Sequence, residues 1–174
     1  MVKKNKIVEG TKKMGNCVLD GVQRGIHMCQ FYQTKEDLID VLVPYFKAGL
    51  ENNEYCMWIV GELLLKDEII RTMTRNLSQF EHFLITGQIE IIPYTNWFLT
   101  DNVFDQHRVL DALMDKLEQA LDKGYDGMRV TGDFSPLIEG NWTNLMDYET
   151  KVNDSIGENR MTGICTYPLV KCAA

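Results

Sequence analysis

Residues 25–60 read GIHMCQFYQTKEDLIDVLVPYFKAGLENNEYCMWIV: a short apolar run, a helical stripe and a second apolar run. GIHMCQFY (25–32) has strand character. Thr34 then opens a helix, with Asp37 three residues on in a near capping-box arrangement. Leu38, Val41, Leu42, Tyr45, Phe46, Gly49 and Leu50 recur at helical spacing. Pro44 lies inside that stripe and lacks the amide that would bond back to Asp40, which predicts a kink. Asn52-Asn53 turns the chain into YCMWIV (55–60), a continuous apolar run of the kind buried on both faces of a parallel sheet.

The same alternation continues downstream. Lys66 to about Leu84 is helical in two pieces, with Ser78 expected to cap the second and Gly87 to end it. QIEIIPY (88–94) is a third strand, followed by a loop over 95–104 that holds Trp97 and Phe98. Val109, Leu110, Leu113, Met114, Leu117, Ala120 and Leu121 mark a third helix with Gly124 as its stop. GMRVTGD (127–133) is strand four. Asn141 then caps a helix running to about Ile156, and RMTGICTY (160–167) is strand five. Strand–helix repeated four times and closed by a strand predicts right-handed crossovers. The fold class is therefore α/β: three layers, a mainly parallel five-stranded sheet with helices on both faces.

Composition narrows the function classes. The chain has 174 residues, 45% hydrophobic and 25% charged, enough for one globular domain over 25–172 with a basic arm over 1–24. Residues 1–13 carry a net charge of +4, so the remainder carries −11 of the total −7. A body that acidic repels a phosphate backbone, which argues against direct nucleic-acid binding by the domain. No apolar run reaches the roughly 18–20 residues of a membrane span. The five cysteines, at 17, 29, 56, 165 and 172, are odd in number and irregular in spacing. With no export signal, the expectation is a reduced, cytoplasmic protein in which Cys56 is a core residue.

Ligands of open parallel sheets bind beyond the carboxyl ends of the strands. That rule selects Phe31 and Tyr32, Glu62, Trp97, Asp133, and Cys165 with Tyr167 as candidate binding residues: aromatic rings, two acids and a thiol. The competing reading is that the aromatic residues merely plug the sheet edge. The first strand–helix junction, QFYQTKED, has no glycine for a phosphate loop, and Glu36 and Asp37 put negative charge where phosphate would go. ATP hydrolysis is not expected.

His27 and Cys29 lie two apart on a strand and share a face, with Phe31 beyond them. A fifth strand beside the first would bring Cys165 to the same region. An imidazole and two thiolates make a soft-metal set, but the spacing matches no zinc motif. A core histidine with two buried thiols is the plainer reading, and a pocket in which His27 contacts an organic ligand is the third. No metal is assigned, His27 and Cys29 join the candidate ligand-binding residues, and the cofactor is left unknown. A catalytic thiol would need an imidazole within reach and an oxyanion site, and the sequence specifies neither. His82 and His107 are expected to face solvent, and no enzymatic activity is assigned.

The same residues carry a family resemblance. HMCQFYQTKEDLIDVLVPYFKAGLENNEYCMWIV, QIEIIPYTNWFL, GYDGMRVTGD, the W-x-x-L-x-x-Y-E stretch over 142–149 and CTYPLVKC resemble the MEDS domain, the methanogen/methylotroph sensory domain. The likeness runs over about 25–172. It implies a RecA/KaiC-like relative without the phosphate loop, and a sensory module found beside histidine-kinase or DNA-binding regions, a dichloromethane-responsive regulator among them. His27, Cys29, Phe31, Tyr32, Trp97, Cys165 and Tyr167 match its motifs. Glu62 is retained, but Leu63–Leu65 replace the polar turn relatives tend to show there. The expected function is a non-catalytic cytoplasmic sensor. It binds a small molecule at the strand ends and signals to a histidine kinase or transcriptional regulator, stand-alone or within a longer chain, with a homodimer conceivable. An interaction scaffold and a degenerate nucleotide binder are the alternatives.

Overall fold

The computed structural model describes residue 22, residues 24–139 and residues 142–172. The basic arm and the expected Asn141 cap fall outside the described residues, apart from Val22 and Arg24. The elements are β1 (Ile26–Tyr32), α1 (Lys35–Glu51), β2 (Glu54–Val60), α2 (Lys66–Asn76), α3 (Phe80–Ile85), β3 (Ile89–Pro93), α4 (Tyr94–Trp97), β4 (Leu99–Thr100), β5 (Val103–Phe104), α5 (Gln106–Asp122), β6 (Gly127–Asp133), α6 (Trp142–Gly157), β7 (Met161–Pro168) and α7 (Leu169–Cys172).

Five strands form one parallel sheet in the order β1-β7-β6-β2-β3. Burial follows position. Every residue of β2, β6 and β7 is buried, as central strands covered on both faces require, while the edge strands β1 and β3 are only partly buried. One face carries α1, α2 and α3 over Trp58, Ile91 and Ile164. The other carries α5 and α6 over Met57, Val130 and Cys165. The three-layer α/β expectation holds.

Local chemistry explains most boundaries. The capping box at α1 forms as its residues demand: Thr34 Oγ1 accepts from Asp37 N at 3.2 Å, and Asp37 Oδ2 accepts from Thr34 N at 2.9 Å. The helix runs through Pro44 to Glu51. Gly87 and Gly124 end α3 and α5 with φ of 70° and 86°, a region that side-chain-bearing residues avoid.

Two expectations fail. Ser78 does not cap α3: the cap position is Gln79, with no side-chain bond, because the preceding turn carries the chain one residue further. The 95–104 segment is not simply a loop, since Tyr94–Trp97 form one helical turn and Leu99–Thr100 pair with Val103–Phe104. That hairpin turns on Asp101 and Asn102, both at positive φ and both types that tolerate it.

Candidate functional site

β7 lies beside β1, in parallel and in register. His27 pairs with Gly163, Cys29 with Cys165, and Phe31 with Tyr167. Residues directly opposite in adjacent strands point the same way, so His27, Cys29, Phe31, Cys165 and Tyr167 share the face under α6. Gly163 has a steric reason. A Cβ there would sit 3.6 Å from His27 Cδ2 and collide with Ile156 of α6, so the glycine lets helix and imidazole close on the sheet.

α6 adds Glu149, and five polar side chains converge. His27 Nε2 lies 3.2 Å from Cys165 Sγ and 3.3 Å from Glu149 Oε2. Cys29 Sγ donates to Glu149 Oε2 at 3.5 Å, and Tyr167 donates its hydroxyl to Glu149 Oε1. The His27 and Glu149 side chains are 5% and 12% exposed, and Cys165 is 7% exposed, whereas Cys29 opens to solvent at the sheet edge.

Burial sets the charge states. It lowers the His27 pKa against the opposing pull of Glu149, which favours a neutral ring. Partial burial, reinforced by Glu149, pushes the Cys29 thiol up to about 12. Burial drives Cys165 and Tyr167 upward as well, with Glu149 adding to both. These shifts leave the ring, the thiols and the phenol around Glu149 neutral. A nucleophilic thiol needs the opposite shift.

Aromatic rings continue from this cluster to the surface. Tyr167 stacks on Phe134 with centroids 5.6 Å apart, meets Phe31 at 5.9 Å and takes Trp142 edge-on at 6.5 Å. Phe31 and Trp142 are each 44% exposed, so the rings form an open shelf at the carboxyl end of β1 and β7. The polar cluster itself sits farther back, on the sheet face under α6.

The remaining candidates go elsewhere. Tyr32 and Asp133 meet on the opposite face, where the Tyr32 hydroxyl donates to Asp133 Oδ1 at 3.2 Å and Ser135 N donates to the same oxygen at 2.9 Å. Glu62 lies beyond β2 and accepts from the Tyr94 hydroxyl at 3.4 Å. Trp97 is packed in the core and faces Cys165 across a cavity of about 20 Å³. A cavity of that size holds a single water, far short of the roughly 300–1,000 Å³ of a ligand pocket. His82 and His107 are exposed, and Cys56 is fully buried, as the sequence implied.

At the β1–α1 junction Asp37 Oδ2 accepts from Gln33 N at 2.8 Å as well as from Thr34 N. Those amides are the donors a phosphate would need at a helix start, and the chain's own carboxylate occupies them.

Sequence reasoning missed Glu149. A signal was present: it falls four residues after Leu145 and three before Val152, on the buried stripe of α6, where an acid is out of place.

A family profile described as the MEthanogen/methylotroph, DcmR Sensory domain matches residues 26–174. The chain belongs to the MEDS family. No curated protein matches it in sequence. Among solved structures it is similar to the flagellar accessory protein FlaH from Methanocaldococcus jannaschii, with TM-score 0.52 and 18% identity over 87% of this chain and 64% of that one. It is also similar to the KaiC-like protein PH0186 from Pyrococcus horikoshii OT3, with TM-score 0.53 and 14% identity over 83% and 62%. The MEDS chain thus spans less than two thirds of either structure. At these identities the likeness shows the RecA/KaiC-like fold alone.

Proposed function

We propose that this MEDS domain is a non-catalytic sensor that receives a small molecule on the Phe31–Tyr167–Trp142 shelf. The domain then passes its occupancy to a histidine kinase or transcriptional regulator. The observation that carries the reading is the adjacency of two exposed rings to a buried polar cluster. An apolar surface with a few convergent polar groups is the general form of a small-molecule site. Two further features support a non-catalytic role: the thiols beside His27 are held protonated, and Asp37 fills the phosphate position. Family membership supports the sensory role, and no described helix is long and apolar enough to cross a membrane.

The chain's three tryptophans supply the test. Trp58 and Trp97 are 2% and 8% exposed, so solvent-sensitive fluorescence reports mainly on Trp142. A panel of one-carbon compounds, chosen from the methanogen/methylotroph character of the family, should shift the emission of the native chain. The shift should vanish in Phe31→Ala. No shift with any compound, or one that survives Phe31→Ala, contradicts the reading. A second reading, an interaction scaffold or homodimer, draws on Trp142 and Met146, which are exposed one turn apart on α6. Concentration-dependent sedimentation abolished by Trp142→Ala would favour it.

A further inference from the structure

Glu149 sits among metal-ligating donors. Its side chain is 12% exposed, and among the described residues it has no lysine or arginine beside it and its one ion-pairing partner is His27. Buried carboxylates elsewhere in proteins are paired with a cation or coordinate a metal. This one instead faces an imidazole and two thiols, which are the donors that bind thiophilic metals.

The spacings fit a common centre. The donor atoms of His27, Cys29 and Glu149 all lie within 4.8 Å of one another. His27 Nε2 is 3.2 Å from Cys165 Sγ and 3.3 Å from Glu149 Oε2, and Cys29 Sγ is 3.5 Å from the same carboxylate oxygen. A tetrahedral zinc site with bonds of about 2.0–2.3 Å has donor–donor edges of roughly 3.3–3.8 Å. The His27–Glu149 and Cys29–Glu149 edges fall in that range.

We propose that His27, Cys29 and Glu149 form a three-ligand site for a thiophilic divalent ion of the zinc class, with the fourth tetrahedral position open to water or a small molecule. On binding, the Cys29 thiol releases its proton to solvent and the ion becomes a positive partner for Glu149. The surrounding structure suits this role. Tyr167 donates to the other oxygen of Glu149, the outer bond that orients a ligating carboxylate. His27 and Cys29 lie two apart on β1, which pairs along its length with β7, so two ligands come from rigid backbone. Cys29 is exposed, which gives an ion a route in. The inference deepens the sensory reading by placing a Lewis acid beside the aromatic shelf, where it would meet a small molecule with a lone pair.

The test uses Co²⁺ alone, titrated into the full chain after reduction and metal removal. One equivalent should produce the visible bands of tetrahedral cobalt together with thiolate-to-cobalt charge transfer, and Zn²⁺ should displace both. Cys29→Ser, at an exposed position, should keep the fold by circular dichroism while losing the thiolate charge-transfer bands. Tyr167→Phe should weaken binding by about 10–100-fold without changing the spectrum type. Cys172→Ser, on α7, should change neither. An octahedral spectrum, no binding, or a tetrahedral spectrum whose charge transfer is unchanged in Cys29→Ser would overturn the proposal. Because no organic compound is present, failure here leaves the fluorescence test of the shelf standing, and failure of that test leaves the metal site standing.

Discussion

Each face of the sheet buries a polar cluster around one glutamate, and the two are built differently. Under α1, Glu54 accepts from both Arg24 and Arg129. Arg129 also donates to Tyr45 O at 2.9 Å and lies over the Tyr45 ring at 5.1 Å. Under α6, Glu149 faces a neutral imidazole, two protonated thiols and a phenol. The first carboxylate sits between permanent cations and closes a structural knot linking β2, β6 and α1. The second has donors aimed at it but no permanent charge to meet it. A buried carboxylate that the fold itself neutralises is architecture, and one left for something else to neutralise marks a site.

That contrast can be broken most forcefully at Arg129. Arg129→Met leaves Glu54 buried with only the half-exposed Arg24, and should cost about 3–5 kcal/mol in urea denaturation. A loss below about 1 kcal/mol would mean the knot is not structural. Gly49→Ala probes the same knot by volume. A Cβ there would fall 2.6 Å from Arg129 Cδ and 2.9 Å from Cys56 Sγ, both held in place. The expected loss is about 1–3 kcal/mol by the same measurement, and no loss would show that Arg129 can move aside.

Two smaller effects sharpen the comparison with acids that have settled roles. Thr34→Ala removes one half of the α1 capping box and should cost about 1 kcal/mol in thermal or urea unfolding. Asp37 would still hold the Gln33 and residue-34 amides, so phosphate should not raise the unfolding temperature of that variant. Asp133 is the intermediate case. Burial holds its carboxyl above the ordinary range, against the bonds from Ser135 and Tyr32. A raised folded-state pKa means stability that is present below the unfolded value of about 3.9 and lost as pH rises through the folded one. Asp133→Asn should therefore be more stable than the native chain at neutral pH, with the difference shrinking toward pH 4. A gap that stays constant with pH would contradict this.

The sequence disclosed the layers more readily than the clusters. The continuous apolar run YCMWIV marked a strand buried on both faces, because such burial leaves no polar alternation in the sequence. Convergence of Cys165 on His27 and Cys29 followed from strand parity once the fifth strand lay beside the first. Strand order is a non-local property, however, and local patterning does not fix it. Glu149, Glu54 and Arg129 escaped for a shared reason. Each is a charged residue on an apolar stripe or strand, and its meaning depends on a partner far away in sequence. The small hairpin after α4 escaped because four strand residues carry too little pattern to read.

The most direct test sets the two glutamates side by side in chelated, reduced buffer, with urea denaturation of Glu54→Gln and Glu149→Gln against the native chain. Glu54→Gln strips Arg129 of its buried partner and should lose about 3–5 kcal/mol. Glu149→Gln keeps the Tyr167 bond and leaves no cation stranded, so it should stay within about 1 kcal/mol of native. Equal losses would contradict the account, because the Glu149 cluster would then be holding the fold together rather than awaiting a ligand.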